Sequence, residues 1–300
     1  MTTPTSATAT TSPLDDAALR PPRQPFWQRI DRYLLPAFTV LAIAYLLIPI
    51  AVMIVFSFND PVGKFNYSWN EFSLEGWMNP FAWPGLPEAV LTSLLVAVVA
   101  TLGATVLGTL IGLAITRYRF RGRGFLNGFI FLPMATPEIV MGASLLTLFV
   151  ATALPPLADS GVPLLYPTGV NTILIAHIMF NISFVVVTVK ARIQGFDRRL
   201  EEAAMDLGAD ELTTFWKVTF PLILPGIVAA ALLAFSLSID DFVITNFVSG
   251  TSNTFPIWVY SIQRNALPVQ INVVGSMVFL GAVALVLISS LRSGGVPRLR

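Results

Sequence analysis

Six long apolar runs separated by polar segments organise the 300 residues. They cover roughly residues 34–58, 88–116, 125–153, 169–190, 222–248 and 271–291. A helix needs about 20 apolar residues to cross a hydrocarbon layer of about 30 Å, so the pattern predicts six transmembrane helices joined by short connections, with no strands. Residues 1–33 are rich in Thr, Ser, Pro and Ala and lack the short apolar core of a cleaved signal, which predicts a disordered tail. The first run would then be its own insertion signal. A membrane domain over 34–291 and a closing tail over 292–300 complete the division. No stretch left over is expected to fold as a separate soluble domain.

Composition agrees with that pattern. Hydrophobic residues make up 55% and charged residues 12%, with a mean hydropathy of +0.73, whereas a globular chain carries about 25% charged residues. The expectation is an all-α, multi-pass membrane protein. The net charge of +1 says little, because charges on opposite faces of a membrane cancel in the sum. Their placement says more. Arg20, Arg23, Arg29 and Arg32 precede the first run, and Arg117, Arg119, Arg121 and Arg123 follow the second. Lys190, Arg192, Arg198, Arg199 and Lys217 follow the fourth, and Arg292, Arg298 and Arg300 follow the last. Of the 18 basic residues, only Lys64 and Arg264 fall elsewhere. By the positive-inside rule both termini are cytoplasmic, and residues 59–87, 154–168 and 249–270 face outward. This predicts a multi-pass protein of the plasma membrane.

Several chemistries find no support. Cysteine is absent, so disulfides, thiolate metal sites and thiol nucleophiles are excluded. There is no G-x-x-x-x-G-K-[ST] loop, and Arg121-Gly122-Arg123-Gly124-Phe125 has neither the spacing nor the preceding strand of a nucleotide cradle. The chain is not expected to bind ATP itself. His177, the single histidine, has no second metal ligand at helical spacing, so a structural hydrogen bond is the favoured role. Nothing reads as a hydrolase site, no metal is expected, and no nucleic-acid partner is implied.

The fourth connection, residues 191–221, is the most informative polar segment. Asp197 suits a helix N-cap, and Leu200, Ala203, Ala204 and Leu207 recur at the spacing of one helical face. Gly208 can close such a helix in the left-handed conformation. Small Ala203 and Ala204 allow close approach, while Glu201, Glu202 and Asp206 offer charge to a partner. Interfacial helices that bind anionic lipid carry Lys and Arg on the polar face. The acids here therefore favour protein docking. Phe215, Trp216 and Phe220 lead back towards the membrane at Pro221.

These residues carry a resemblance. Glu202-Ala203-Ala204, three residues, Gly208, nine residues, Val218, one residue and Phe220-Pro221 resemble the EAA signature of ATP-binding-cassette importer permeases. Val218 and Phe220 stand where that family has Ile and Leu. Arg117 to Gly122, Thr136 to Met141, Phe184 to Val189, Gly195-Phe196-Asp197 and Leu237 to Val243 are similar to one branch, the second permease subunit of spermidine/putrescine importers. The resemblance implies a type I importer permease with six helices. It also implies a sibling permease, two ATPase subunits that hold ATP and magnesium, and an external binding protein. Glu202, Ala203, Ala204, Leu207, Gly208 and Pro221 are then the ATPase-coupling residues.

The intramembrane acids point to cargo. A carboxylate near a span centre costs about 2.5–3.5 kcal/mol on insertion scales, so Asp240 and Asp241 are candidates for a translocation path. At 1.5 Å per residue they lie about 8 Å outward of the span midpoint near Phe235. Neighbouring helical residues point about 100° apart, so one acid faces the path and the other packs against a donor. Phe242, Phe247, Trp258 and Tyr260 could offer aromatic faces to an ammonium group. The competing reading is a helix-terminal polar network without cargo contact. Glu138 is ambiguous in the same way. Thr136-Pro137-Glu138 reads as a helix start with Thr136 as cap, which favours capping over cargo contact and would split the third run into two helices.

Some residues depart from the polyamine branch. Ser183 replaces a Pro, Gly250-Thr251 replaces Gly-Pro, and Pro268-Val269-Gln270-Ile271-Asn272 resembles a Pro-Glu-Ile-Asn segment that has lost its acid. These changes leave another organic cation or a metal chelate open as cargo. A self-sufficient secondary transporter would show inverted repeats, and the sequence has none.

Overall fold

The computed structural model describes residues 26–152 and 168–292. Expectations for residues 1–25, for most of the outward connection 154–168 and for residues 293–300 lie outside the described residues. The chain divides into Met1–Phe56 and Ser57–Arg300, each described by itself.

The described residues of the first unit form the helix α1 (Phe26–Phe56), with Pro36 and Pro49 inside it. The helix begins earlier than predicted and overlaps the expected disordered tail. Phe26, Trp27 and Ile30 extend the apolar pattern towards the N-terminus.

The second unit opens on an element that the all-helix expectation missed. Strand β1 (Asn59–Asp60) pairs antiparallel with β2 (Glu71–Phe72), placing Asn59 opposite Phe72 and Asp60 opposite Glu71. A buried amide explains the pairing. The Asn59 side chain donates to Asn66 Oδ1 at 2.6 Å and to the Ser68 carbonyl at 2.8 Å, and it accepts from the Asn70 N–H at 2.7 Å. One side chain thus satisfies polar groups spread along the loop, and hydropathy carries no trace of it. Helix α2 (Glu75–Met78) follows.

The longer helices are α3 (Leu86–Arg117), α4 (Arg123–Ala135), α5 (Glu138–Ala151) and α6 (Val170–Gln194). After them come α7 (Arg199–Asp206), α8 (Glu211–Thr214), a π-helical turn (Phe215–Thr219) and α9 (Phe220–Ile239). Helices α10 (Val243–Val248), α11 (Phe255–Ile262) and α12 (Val269–Arg292) are the last of the described elements. Backbone bonds from Asn66 N–H to Leu267 and from Leu267 N–H to Lys64 tie the loop after β1 to the start of α12.

Among the described residues, four helical segments are long and apolar enough to cross a membrane: Leu34–Phe56, Leu86–Arg117, Val170–Gln194 and Glu211–Ile239. A fifth is added if α4 and α5, bent by 104° at their joint, form one span. The apolar part described in α12, Val269–Ala284, is shorter. Two of the six apolar runs are broken, the third where the Thr136-Pro137-Glu138 pattern anticipates it. The third breaks at Pro137, although Thr136 does not cap α5 as expected. The Thr136 hydroxyl and backbone N–H both bond the Leu132 carbonyl, so this residue closes α4. Pro137 then stands at the N-cap of α5, with Glu138 exposed in the first turn. The fifth run breaks at Asp240, where the chain leaves the helix before α10.

Helix α6 is the axis of the packing in this unit. Outside water, apolar surface no longer drives helices together, so association relies on close packing and small residues. Ala97, Ala100, Ala104, Gly108 and Gly112 form such a stripe along α3, and the last two back onto Val185 and Val189 of α6. Ala104, Val185, Val189, Ile193, Ile223, Ala230 and Ala234 make one core, shared by α3, α6 and α9. Another combines Val96, Leu145, Phe149, Ile173, Phe180, Ile244 and Val248. A Cβ added at Gly108 would lie 2.6 Å from Val185 Cγ1 and 3.2 Å from the Ile182 carbonyl. Gly108→Ala is therefore expected to destabilise the protein by about 1–3 kcal/mol through overpacking. Thermal unfolding of the detergent-solubilised protein would register this as a lower midpoint, and an unchanged midpoint would contradict the packing.

Candidate functional site

The polar segment after α6 folds as the sequence predicts, with sharper detail. Asp197 Oδ1 accepts the Arg199 N–H at 3.0 Å at the start of α7. At the other end the Gly208 N–H bonds the Met205 carbonyl and the Ala209 N–H bonds the Ala204 carbonyl. With Gly208 at φ +88°, this is a Schellman closure. Helix α7 buries none of its residues. Glu202, Ala203 and Gly208 are exposed, Ala204 is half-buried and Leu207 is 90% exposed. Leu212 and Trp216 extend this bare apolar surface past α7, and Pro221 is exposed in the first turn of α9. Asp210 leads into α8, and a hydrogen bond with the Thr213 side chain holds its carboxyl below the usual carboxylate range.

One acid departs from expectation. Glu201 is not offered to a partner. Both of its oxygens accept from Arg117, Nη1 to Oε2 at 2.5 Å and Nη2 to Oε1 at 2.5 Å. The Thr219 hydroxyl also donates to Oε1, and the Arg117 guanidinium lies 5.5 Å from the centre of the Phe196 ring. Two further basic residues are engaged nearby. Lys190 donates to Asn127 Oδ1 at 2.7 Å, and Arg192 Nε donates to the Leu222 carbonyl at 3.0 Å. Basic residues that mark sidedness in the sequence therefore also link α3, α4, α6, α7 and α9.

The Asp240–Asp241 pair occupies the joint between α9 and α10, and its members face different surroundings. Asp240 is exposed at the end of α9. The Asp241 side chain is only 8% exposed. Its Oδ2 accepts from the Thr245 N–H at 2.8 Å and from the Thr245 hydroxyl at 2.6 Å, while Oδ1 lies 3.4 Å from the Ile244 nitrogen. Asp241 thus caps α10, which is why the run breaks here. His177 of α6 closes the network. Its Nε2 lies 2.8 Å from Thr245 Oγ1 and 3.3 Å from Asp241 Oδ2, and its Nδ1 lies 3.1 Å from Ser238 Oγ. Asn181 Nδ2 donates to Ser238 Oγ at 2.9 Å. The imidazole is thus held between the Ser238 and Thr245 hydroxyls, which are themselves fixed by Asn181 and Asp241.

The aromatic candidates separate as well. The Phe242 and Tyr260 rings pack 4.8 Å apart beside the joint, and Tyr260 is half exposed. Trp258 does not join them. It is buried with Leu86, Ala89 and Val274, and its indole N–H donates to the Pro84 carbonyl at 3.2 Å. Phe247 packs against Gly142 of α5. Among the described residues no group of three His, Asp or Glu side chains could hold a metal ion.

Sequence reasoning missed the Arg117–Glu201 pair and the partners of Asp241. A signal for the second was present. His177 and Asn181 are four apart, and Ser238, Asp241 and Thr245 are three and four apart, all within apolar runs.

A family model described as "Binding-protein-dependent transport system inner membrane component" matches residues 104–295. The spermidine/putrescine transport system permease protein PotC of Haemophilus influenzae is 36% identical over 260 residues, which cover 86% of this chain and 96% of that protein. The putrescine transport system permease protein PotI of Escherichia coli is 37% identical over 252 residues, 82% of this chain and 85% of that one. Two solved structures share the fold. The crystal structure of a bacterial ABC transporter that imports the acidic polysaccharide alginate aligns with a TM-score of 0.56 at 16% identity, covering 97% of this chain and 100% of that one. A second alginate transporter structure, in complex with an alginate pentasaccharide-bound periplasmic protein, aligns with a TM-score of 0.60 at 17% identity, covering 90% and 98%.

Proposed function

The chain belongs to the family of binding-protein-dependent transport system inner membrane components, and we propose that the cargo it conducts is a polyamine such as spermidine or putrescine. It is a multi-pass membrane permease of an importer, and its family is one of transport subunits rather than enzymes. In this reading the chain crosses the membrane six times with both termini inside. A sibling permease completes the path, two ATPase subunits carry ATP and magnesium, and an external binding protein delivers the cargo. Glu202, Ala203, Ala204, Leu207, Gly208 and Pro221 couple the path to the ATPases.

The observation that carries the cargo reading is the exposed Asp240 carboxylate at an unwound joint, next to the Phe242–Tyr260 ring pair. A carboxylate and aromatic faces together suit an ammonium group on an otherwise apolar chain. Asp241, engaged by His177 and Thr245, holds the joint open rather than meeting cargo. Glu138, exposed at the start of α5, adds negative charge without a defined cap bond. A second reading, another organic cation or a metal chelate, is favoured by Gln270, which stands where the resembling segment carries an acid.

Uptake of labelled spermidine by the assembled importer in liposomes separates the two readings. Excess unlabelled putrescine or spermidine should suppress it, and a neutral sugar should not. A machine that ignores polyamines and accumulates a metal chelate would overturn the cargo assignment.

A further inference from the structure

The two consecutive acids of α7 point in different directions. Glu202 is exposed, whereas Glu201 turns inward to Arg117, and both side chains of that pair are 14% exposed. Arg117 is the last residue of α3, the helix that packs along α6. Thr219 is the last residue of the π-helical turn and leads directly into α9. One carboxylate therefore joins α7 to the ends of two long helices at once. Helix α7 buries no residue of its own, so apolar packing contributes little to holding it there.

The geometry suits transmission of force. A guanidinium that meets a carboxylate with two parallel bonds fixes orientation as well as distance, which a lysine ammonium cannot do. Partial burial and the Phe196 ring beneath the guanidinium shield the pair from the screening that weakens open surface ion pairs. Glu201 lies 84 positions from Arg117 and 18 from Thr219, so the three residues meet only because the helix ends converge. Turns of π-helix recur at functional positions, where they shift the register of the residues that follow. Here the turn brings the Thr219 hydroxyl to Glu201.

We propose that Arg117, Glu201 and Thr219 form the linkage that passes displacement of α7 to α3 and α9, with Arg117 and Glu201 acting as positioning residues rather than as contacts to the ATPase. This rests on reading residues 191–221 as the coupling segment. Outward-facing Leu207 and Glu202 hold the partner, and inward-facing Glu201 holds the permease.

The test uses the assembled importer, isolated with its own partner chains through a tag on this chain and placed in liposomes. It compares ATP hydrolysed with spermidine imported for Arg117→Ala, Arg117→Lys, Glu201→Gln and Leu207→Asp. Arg117→Ala and Glu201→Gln should keep the ATPase bound and hydrolysis within about twofold, while import per ATP falls about tenfold, the equivalent of about 1.4 kcal/mol. Arg117→Lys should restore import only in part. Leu207→Asp should lose the ATPase during isolation. If hydrolysis and import fall together in the Arg117 and Glu201 variants, or import per ATP is unchanged, the linkage is wrong even though Leu207→Asp behaves as expected. If Leu207→Asp keeps its ATPase, the coupling segment itself is wrong and the linkage falls with it.

Discussion

Asp241→Ala is expected to lower the thermal midpoint of the solubilised protein by several degrees and to abolish uptake, whereas Asp240→Asn should leave the midpoint unchanged and still cut polyamine uptake about tenfold, the equivalent of 1.4 kcal/mol. The difference follows from what each carboxylate touches. Removing that of Asp241 strands the Thr245 N–H and hydroxyl inside an apolar run and takes away the carboxylate that faces His177. Each buried donor left without an acceptor costs about 1–3 kcal/mol. The cap of α10 goes with them, and Ile244 and Val248 of that helix belong to the core built on α6. Asp240 has no comparable duty, because its side chain is exposed at the joint. Equal loss of stability in both variants would show that the two acids share one structural role.

Gly208→Val is expected to stop uptake while the protein still inserts in the membrane at its normal level. Gly208 adopts φ +88°, and a Cβ built there meets nothing within 4 Å. The substitution is therefore strained by the backbone and not by crowding, at about 1–2 kcal/mol for a left-handed L-residue. A β-branched valine is among the residues least suited to that region. The chain relieves the strain by giving up the Schellman closure, which moves Leu207 and the last turn of α7 away from the arrangement a partner would meet. Membrane content, ATPase retention and uptake, measured side by side, check this. Normal transport by the variant would sink the role assigned to Gly208.

Much of this molecule is written in local patterns. The apolar runs, the start of α7 at Asp197, its end at Gly208 and the break at Pro137 all depend on residues within a few positions of each other. What could not be read locally depends on side chains that meet across the fold. Hydropathy runs unbroken from residue 222 to 248, and the break at Asp240 exists because His177 and Thr245 hold Asp241. Glu201 looked like Glu202 in sequence, and only the convergence of α3 and α7 sets them apart. Trp258 resembled a path aromatic by position, yet its indole finds the Pro84 carbonyl inside a core. The strands at 59–60 and 71–72 are shorter than any period a pattern could show, and their cause is one asparagine.

As the permease subunit of its family, this chain is the conducting part of an ATP-driven importer. The direct measurement is polyamine uptake into liposomes that hold either the chain alone under an ion gradient or the full assembly with ATP and loaded binding protein. Accumulation only in the second, stopped when ATP is replaced by a non-hydrolysable analogue, is the predicted result. Accumulation by the chain alone would contradict it.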